Sequence, residues 1–277
     1  MNMKTITAFA AILGASVTLI AQNAVSAEAN PYGKNVRTGY SYATPETRAM
    51  QDDDFANPGM PLVDTAATMW NEPAGEAKKS CADCHGAVDD PKGGKLGIPM
   101  RGVGAKYPAY DEVTKKPINL ELRIMKCQTE NQKAEAFKYE SKPLVGMTGL
   151  VAMQSRGMPR LSTADNPNDK LHAAWKAGEE FYYQRRGQLD MACKHCHEDN
   201  HGNIIRAELL SQGQTNGFPT YRLKWQGMGS LHKRLGGCNK EIRAEPYKSG
   251  SDEYVNLETY LAWRGRGLVM EGPSVRK

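Results

Sequence analysis

Two five-residue segments constrain this chain more than any other feature: Cys81-Ala82-Asp83-Cys84-His85 and Cys193-Lys194-His195-Cys196-His197. Cys-x-x-Cys-His is the attachment pattern of a c-type haem. Two thiols take up the porphyrin vinyl groups, and the adjacent imidazole faces the iron. A bare Cys-x-x-Cys also serves as a redox disulfide or as half of a zinc site. The trailing histidine, present twice, favours haem. A chain that wraps two porphyrins needs little side-chain core of its own, so helices joined by long irregular loops are expected.

The N-terminus agrees with this chemistry. Lys4 precedes an apolar or small stretch over 6–21, and Val25-Ser26-Ala27 reads as a small-residue cleavage site. Residues 1–27 are therefore expected to be a signal peptide. An uncleaved anchor is the alternative, but the stretch is short of the ~20 apolar residues of a spanning helix. No membrane span is expected elsewhere. Removing 1–27 removes Lys4 and no acid, so the formal charge falls from +5 to +4. That mild balance, without a basic run interleaved with aromatics, gives no reason to expect nucleic acid. Residues 28–62, rich in Asn, Gly, Pro and Asp, predict an extended arm or surface wrap with little regular structure.

The four motif cysteines are joined by only two others. Cys127 lies 42 residues after His85, and Cys238 lies 41 after His197. Tyr107-Pro108-Ala109-Tyr110 and Phe218-Pro219-Thr220-Tyr221 each begin 20 residues before their cysteine. Leu120 matches Leu231, and Arg123 and Arg234 each stand four residues before their cysteine. This is one architecture used twice. A cysteine at a fixed distance past each haem histidine is well placed to be the sixth iron ligand. The rival reading is a disulfide joining Cys127 to Cys238. Met100, Met125, Met147, Met153, Met158 and Met228 are alternative ligands by type, but none keeps the repeat spacing, and core packing explains them more simply.

Helical periodicity supports two mainly α, cytochrome-c-like domains related by internal duplication, over 63–160 and 161–277, with Asn166-Pro167-Asn168 at the joint. Leu171, Ala174, Trp175, Gly178, Phe181 and Tyr182 predict an amphipathic helix within 168–186, capped by Asn168 or Asp169. Tyr254, Leu257 and Leu261 predict another over 252–264, with Ser251 as cap and Gly265 as stop. Pro143 suits a first helical turn leading into Leu144, Met147 and Val151.

The halves differ around their cysteines. Window 120–132 carries Glu121, Arg123, Lys126 and Glu130, for a formal charge of 0. Window 231–243 carries Lys233, Arg234, Lys240, Glu241 and Arg243, for +3, with His232 alongside. Met125 and Lys126 precede Cys127, whereas Gly236 and Gly237 precede Cys238. Open space and positive charge beside a sulfur favour a reactive thiolate and would attract a small dianion. The alternative is a solvated Lys233–Arg234 face and a glycine turn.

On the signal peptide, both haem motifs, the two later cysteines and Arg234-Leu235-Gly236-Gly237-Cys238, the sequence resembles the SoxA family. Its members are dihaem cytochrome subunits of the SoxAX L-cysteine S-thiosulfotransferases of bacterial sulfur oxidation. The resemblance implies two covalent c-type haems, held through Cys81 and Cys84 and through Cys193 and Cys196. It implies axial pairs His85/Cys127 and His197/Cys238, and a periplasmic location. It implies Cys238 as a catalytic cysteine persulfide and Arg234 as a substrate-binding residue. It further implies a heterodimer with the monohaem cytochrome SoxX, thiosulfate as substrate, the carrier SoxYZ as protein substrate and a cytochrome c electron acceptor. A dihaem electron carrier without catalysis is the alternative function. A dihaem peroxidase fits less well, because it needs one haem with an open distal side.

Overall fold

The computed structural model describes residues 35–277; the expected signal peptide and the start of the expected arm lie outside them. Each half is built from the same parts in the same order. Helix α2 (Met60–Trp70) carries Val63, Ala66 and Trp70 on its buried face. It packs against α5 (Lys142–Met153), which Ser141 caps and Pro143 opens. In the second half α6 (His172–Tyr183) packs against α9 (Asp252–Arg264), which Ser251 caps and Gly265 ends. These two helix pairs frame two hydrophobic clusters. One contains Val63, Trp70, Met100, Met147 and Leu150, with Cys81 packed against it. The other contains Tyr182, Leu231, Leu235, Tyr254 and Leu257, with Cys193 packed against it. Each motif thus sits at the edge of its own half's core, on a short helix: α3 (Ala82–His85) and α7 (Cys193–His197).

The duplication holds residue for residue over the segment that delivers the later cysteine. Strands β1 (Ala109–Asp111) and β2 (Lys116–Ile118) form a hairpin in which Ala109 faces Ile118. Strands β5 (Thr220–Arg222) and β6 (Gly227–Gly229) form its counterpart, with Thr220 facing Gly229. Lys115 and Gln226, at the same turn position, both take positive φ. Helix α4 (Leu120–Cys127) follows the first hairpin and α8 (Leu231–Glu241) the second. Asn119 caps α4 through Leu122 N–H, and Ser230 caps α8 through Lys233 N–H. Side-chain caps of this kind satisfy otherwise orphaned first-turn donors. A third, two-stranded element, β3 (Ile204–Ile205) with β4 (Glu208–Leu209), stands beside the second motif.

Two expectations and one alternative reading are corrected. The described part of the arm, residues 35–62, is not plainly extended: Gly39–Tyr42 form a 3-10 turn, and Thr44 caps α1 (Pro45–Asp52), whose Pro45 is fitted to a first helical position. The segment does wrap the second half. Arg37 N–H donates to Gln212 at 2.8 Å, and Asn57 donates to the Pro273 carbonyl at 3.0 Å. The helix expected from 168 begins only at His172, because Asn166 and Asp169 spend their side chains on local turns, accepting from Asn168 N–H and Leu171 N–H. Gly236 and Gly237 lie inside α8 rather than in a turn. Their value is space, not unusual backbone angles.

The halves meet where the N-termini of α4 and α8 converge. Ser230 donates its N–H and its hydroxyl to Glu140 of the first half. Asn119 donates to Glu258 on α9 at 3.0 Å. Buried His232 accepts from Gly250 N–H at 2.9 Å through Nδ1, which places its proton on Nε2, donated to Glu258 at 3.1 Å. The C-terminal strand β7 (Ser274–Arg276) lies parallel to β5.

Candidate functional site

Each cysteine expected as a ligand is found with the motif of its own half. Cys127 lies close enough to Cys81 to raise its thiol pKa, after burial, which is the larger cause and brings it to about 11. Cys238 does the same to Cys193, pushed up mainly by burial to about 12. All six cysteines are free, so the Cys127–Cys238 disulfide is overturned: each sulfur lies beside the motif of its own half. The methionines fall where packing needs them. Met100 and Met147 are buried in the first core cluster. Met228 packs against α5, where a Cβ on Gly149 would meet its Cε at 3.2 Å.

At the second centre, α7 turns His197 toward Cys238. The His197 Nδ1–H donates to the Ser211 carbonyl at 2.8 Å, which fixes the tautomer and leaves the Nε2 lone pair for a metal. Gly213 makes this possible. Its φ is +72°, and a Cβ there would come within 2.9 Å of the imidazole Cγ. Burial pushes the Cys238 thiol up. The Arg234 guanidinium first, with His197 and Arg222, outweighs it and lowers it to about 7. Arg234 is held more firmly protonated in return, chiefly by Cys238. It lies one helical turn before Cys238 on α8, on the same face. Among the described residues its guanidinium makes no hydrogen bond or ion pair within the protein.

The first centre repeats the scaffold with different neighbours. Burial pushes the His85 imidazole down, and its Nδ1 is buried without a partner at hydrogen-bond geometry; the Ile98 backbone is the group that faces it. The Trp70 ring lies 5.8 Å from the His85 ring, and Trp70 Nε1–H ties α2 to the motif through the Gly86 carbonyl at 2.8 Å. Beside Cys127, Lys126 donates to Asp111 at 2.6 Å, with side chains 11% and 6% exposed. Asp111 is held down at about 2 by that bond first, and by Thr114.

Both donor sets suit a c-type haem. Each offers two thiols one helical turn apart, an imidazole directly after them and a sulfur from a separate helix. His85 and His197 keep Nε2 available for the iron such a group would bring, and the Nδ1 of His85 faces the Ile98 backbone. Sequence reasoning did not single out Arg222, Glu208 or Trp225. The repeat register could have flagged the first, since Asp111 and Arg222 occupy the same place in the two hairpins with opposite charge. Among the described residues no helix is long and apolar enough to cross a membrane.

Comparison with known proteins agrees with this architecture. A family model described as SoxA/TsdA, cytochrome c domain matches residues 65–160 and again 177–270. The L-cysteine S-thiosulfotransferase subunit SoxA of Pseudaminobacter salicylatoxidans is 45% identical over 254 residues, 92% of this chain and 85% of the relative. The subunit of the same name from Rhodovulum sulfidophilum is 44% identical, over 87% of this chain and 80% of its own. The crystal structure of SoxXA from P. pantotrophus superposes with a TM-score of 0.80 at 41% identity, covering 87% of each chain. Two cytochrome c domains, a duplicated His/Cys scaffold and relatives of this likeness establish that the chain belongs to the SoxA family.

Proposed function

We propose that this chain is the catalytic haem subunit of a periplasmic L-cysteine S-thiosulfotransferase. It joins thiosulfate oxidatively to a cysteine of a SoxYZ-type carrier, works as a heterodimer with a SoxX-type monohaem cytochrome and passes electrons to a cytochrome c acceptor. Cys81 and Cys84 would hold one haem covalently, with His85 and Cys127 as axial ligands. Cys193 and Cys196 would hold the other, with His197 and Cys238. The bound haems supply one-electron redox capacity, which a sulfur-coupling reaction needs: joining a carrier thiol to thiosulfate forms one S–S bond and releases one proton and two electrons.

The observation that carries this reading is geometric: Arg234, whose guanidinium has no hydrogen-bond or ion-pair partner among the described residues, stands one helical turn before Cys238 on α8, and Gly237 leaves the flank between them open. A thiolate at neutral pH is the nucleophilic form of cysteine and the form that can carry an extra sulfur as a persulfide. Arg234 offers a planar fork of donors to the oxygens of a small dianion. Cys127 also follows an arginine, Arg123, by four residues, but there Lys126 fills the flank that Gly237 leaves open beside Cys238, and Asp111 neutralises it. The first centre is accordingly an auxiliary or structural one.

The test compares Cys238→Met with Cys127→Met in the complex with the partner cytochrome. Each variant keeps a sulfur facing the iron and loses the thiolate. Thiosulfate- and carrier-dependent cytochrome reduction should vanish in Cys238→Met and persist in Cys127→Met. The reverse pattern would transfer catalysis to the first centre, and activity in both would leave the chain an electron carrier.

A further inference from the structure

Positions 107–127 and 218–238 correspond residue for residue, so one site can be read against the other. Position 126 of the first half is Lys126, and its counterpart is Gly237. Position 111 is Asp111, and its counterpart is Arg222. In the first half the Lys126 side chain runs from α4 to the end of β1 and is fixed on Asp111 at 2.6 Å. That path is filled and its charges are neutralised. In the second half the side chain that would fill it is missing. A Cβ on Gly237 would meet nothing nearer than Arg234 Nη1 at 3.9 Å. At the far end stands Arg222 in place of the carboxylate.

Arg222 is already held in position. Its Nη2 donates to both Glu208 oxygens, at 2.6 and 2.5 Å, its Nε donates to the Lys277 carbonyl at 2.9 Å, and its guanidinium lies 5.3 Å from the centre of the Trp225 ring. Among the described residues its Nη1 makes no hydrogen bond. Glu208 therefore takes one edge of the guanidinium from the β3–β4 side and leaves the other edge unused. Burial first, and then the charge of Arg234, disfavours the charge on Arg222, and both guanidiniums act on Cys238. Two guanidiniums with free N–H groups, an intervening space and a reactive sulfur together describe a receptor for a small oxyanion.

We propose that Arg222 is a second anion-binding residue of the Cys238 centre, and that Gly237 leaves open the slot between Arg222 and Arg234 in which the sulfonate end of thiosulfate is held. The inference rests on the reading of Cys238 as the reacting centre. It also gives a physical reason for the inactivity of the first centre: Lys126 is an internal cation that occupies the corresponding slot, and Asp111 is its counter-ion. Trp225, flanked by Arg222 at 5.3 Å and by Lys233 at 4.7 Å, forms a wall that keeps both cations oriented.

Two variants test this in the complex with the partner cytochrome. Arg222→Met is made together with Glu208→Gln, so that no carboxylate is left stranded. Losing one charge-assisted contact should raise the KM for thiosulfate about ten- to hundredfold, with a smaller change in kcat and an unchanged spectrum of the second haem. Arg222→Lys, paired with native Glu208, should restore part of the affinity. Gly237→Lys rebuilds the first half's side chain in a space that can take it, and should weaken thiosulfate binding by calorimetry by at least the same factor. If the double variant does not fold, Gly237→Lys decides alone. Unchanged KM and unchanged binding overturn the slot. Loss of turnover in Cys238→Met beside unaltered thiosulfate binding in Gly237→Lys would overturn the slot only. Turnover in Cys238→Met would overturn the reading of the centre itself.

Discussion

Replacing Gly213 by alanine isolates the structural demand made by the second centre. The new methyl meets two costs. Gly213 has φ +72°, a left-handed conformation that costs an ordinary residue about 1–2 kcal/mol. The Cβ would also stand 2.9 Å from Cγ and 3.0 Å from Nδ1 of His197, inside van der Waals contact with a rigid ring. The ring must turn, and turning it strains the 2.8 Å bond to the Ser211 carbonyl, worth about 0.5–1.5 kcal/mol. The sum is about 1.5–3.5 kcal/mol, or roughly 3–14 °C in melting temperature for a domain-sized unit of 150–250 residues. Gly202→Ala is the control. Gly202 has φ +90° with nothing within 4 Å of a Cβ, so it should pay the backbone cost alone. The assay is thermal unfolding combined with EPR of the oxidised protein. Gly213→Ala should destabilise more than Gly202→Ala and shift only the signal of the second haem, with the first as internal reference. Equal melting temperatures for the two variants, or an unshifted second signal, would refute the account of how His197 is aimed.

Two further outcomes follow from the electrostatics. Arg234→Met removes the main group that lowers the Cys238 thiol against its burial; the thiol pKa then rises, and the acidic limb of the pH–rate profile should move to higher pH, whereas an unmoved limb would separate Arg234 from the thiolate. Glu121 is buried at the contact between halves, and burial, reinforced by the charge of Glu258, raises its carboxyl pKa well above the usual value. The native state then keeps a proton that the unfolded chain releases above about pH 4.5, so stability present at low pH is lost as pH rises, at up to ~1.4 kcal/mol per unit. Glu121→Gln should flatten that dependence in denaturant titrations at pH 5 and pH 7; identical slopes would show that Glu121 is not the group responsible.

The parts legible in the sequence were those governed by local rules or by repetition. Ser251, the Tyr254–Leu257–Leu261 stripe and Gly265 define α9 without tertiary help, and Ser141 with Pro143 does the same for α5. The near-equal spacing to Cys127 and Cys238 foreshadowed a correspondence that extends to hairpin register, turn conformation and helix caps. What stayed hidden depended on contacts between distant segments. α1 forms in a polar, proline-containing stretch because Thr44 caps it and β7 covers it. The paired glycines look like a turn, yet Ser230, Leu231 and Leu235 hold them within a helix whose apolar side is in the core. The ion pair that closes the first centre joins residues 15 apart, and the pair that orients Arg222 joins residues 14 apart across β4 and β5. Charge type was visible at each position, but the partner was not.

The account turns on chemistry at one sulfur among six. Sulfur-resolved mass spectrometry of the purified protein, before and after exposure to thiosulfate, reads it directly. An additional sulfur on the peptide containing Cys238, with the Cys127 peptide unmodified, is the predicted result. Modification of Cys127 with Cys238 left bare, or no sulfur adduct on either under turnover, would contradict the assignment of Cys238 as the reacting group.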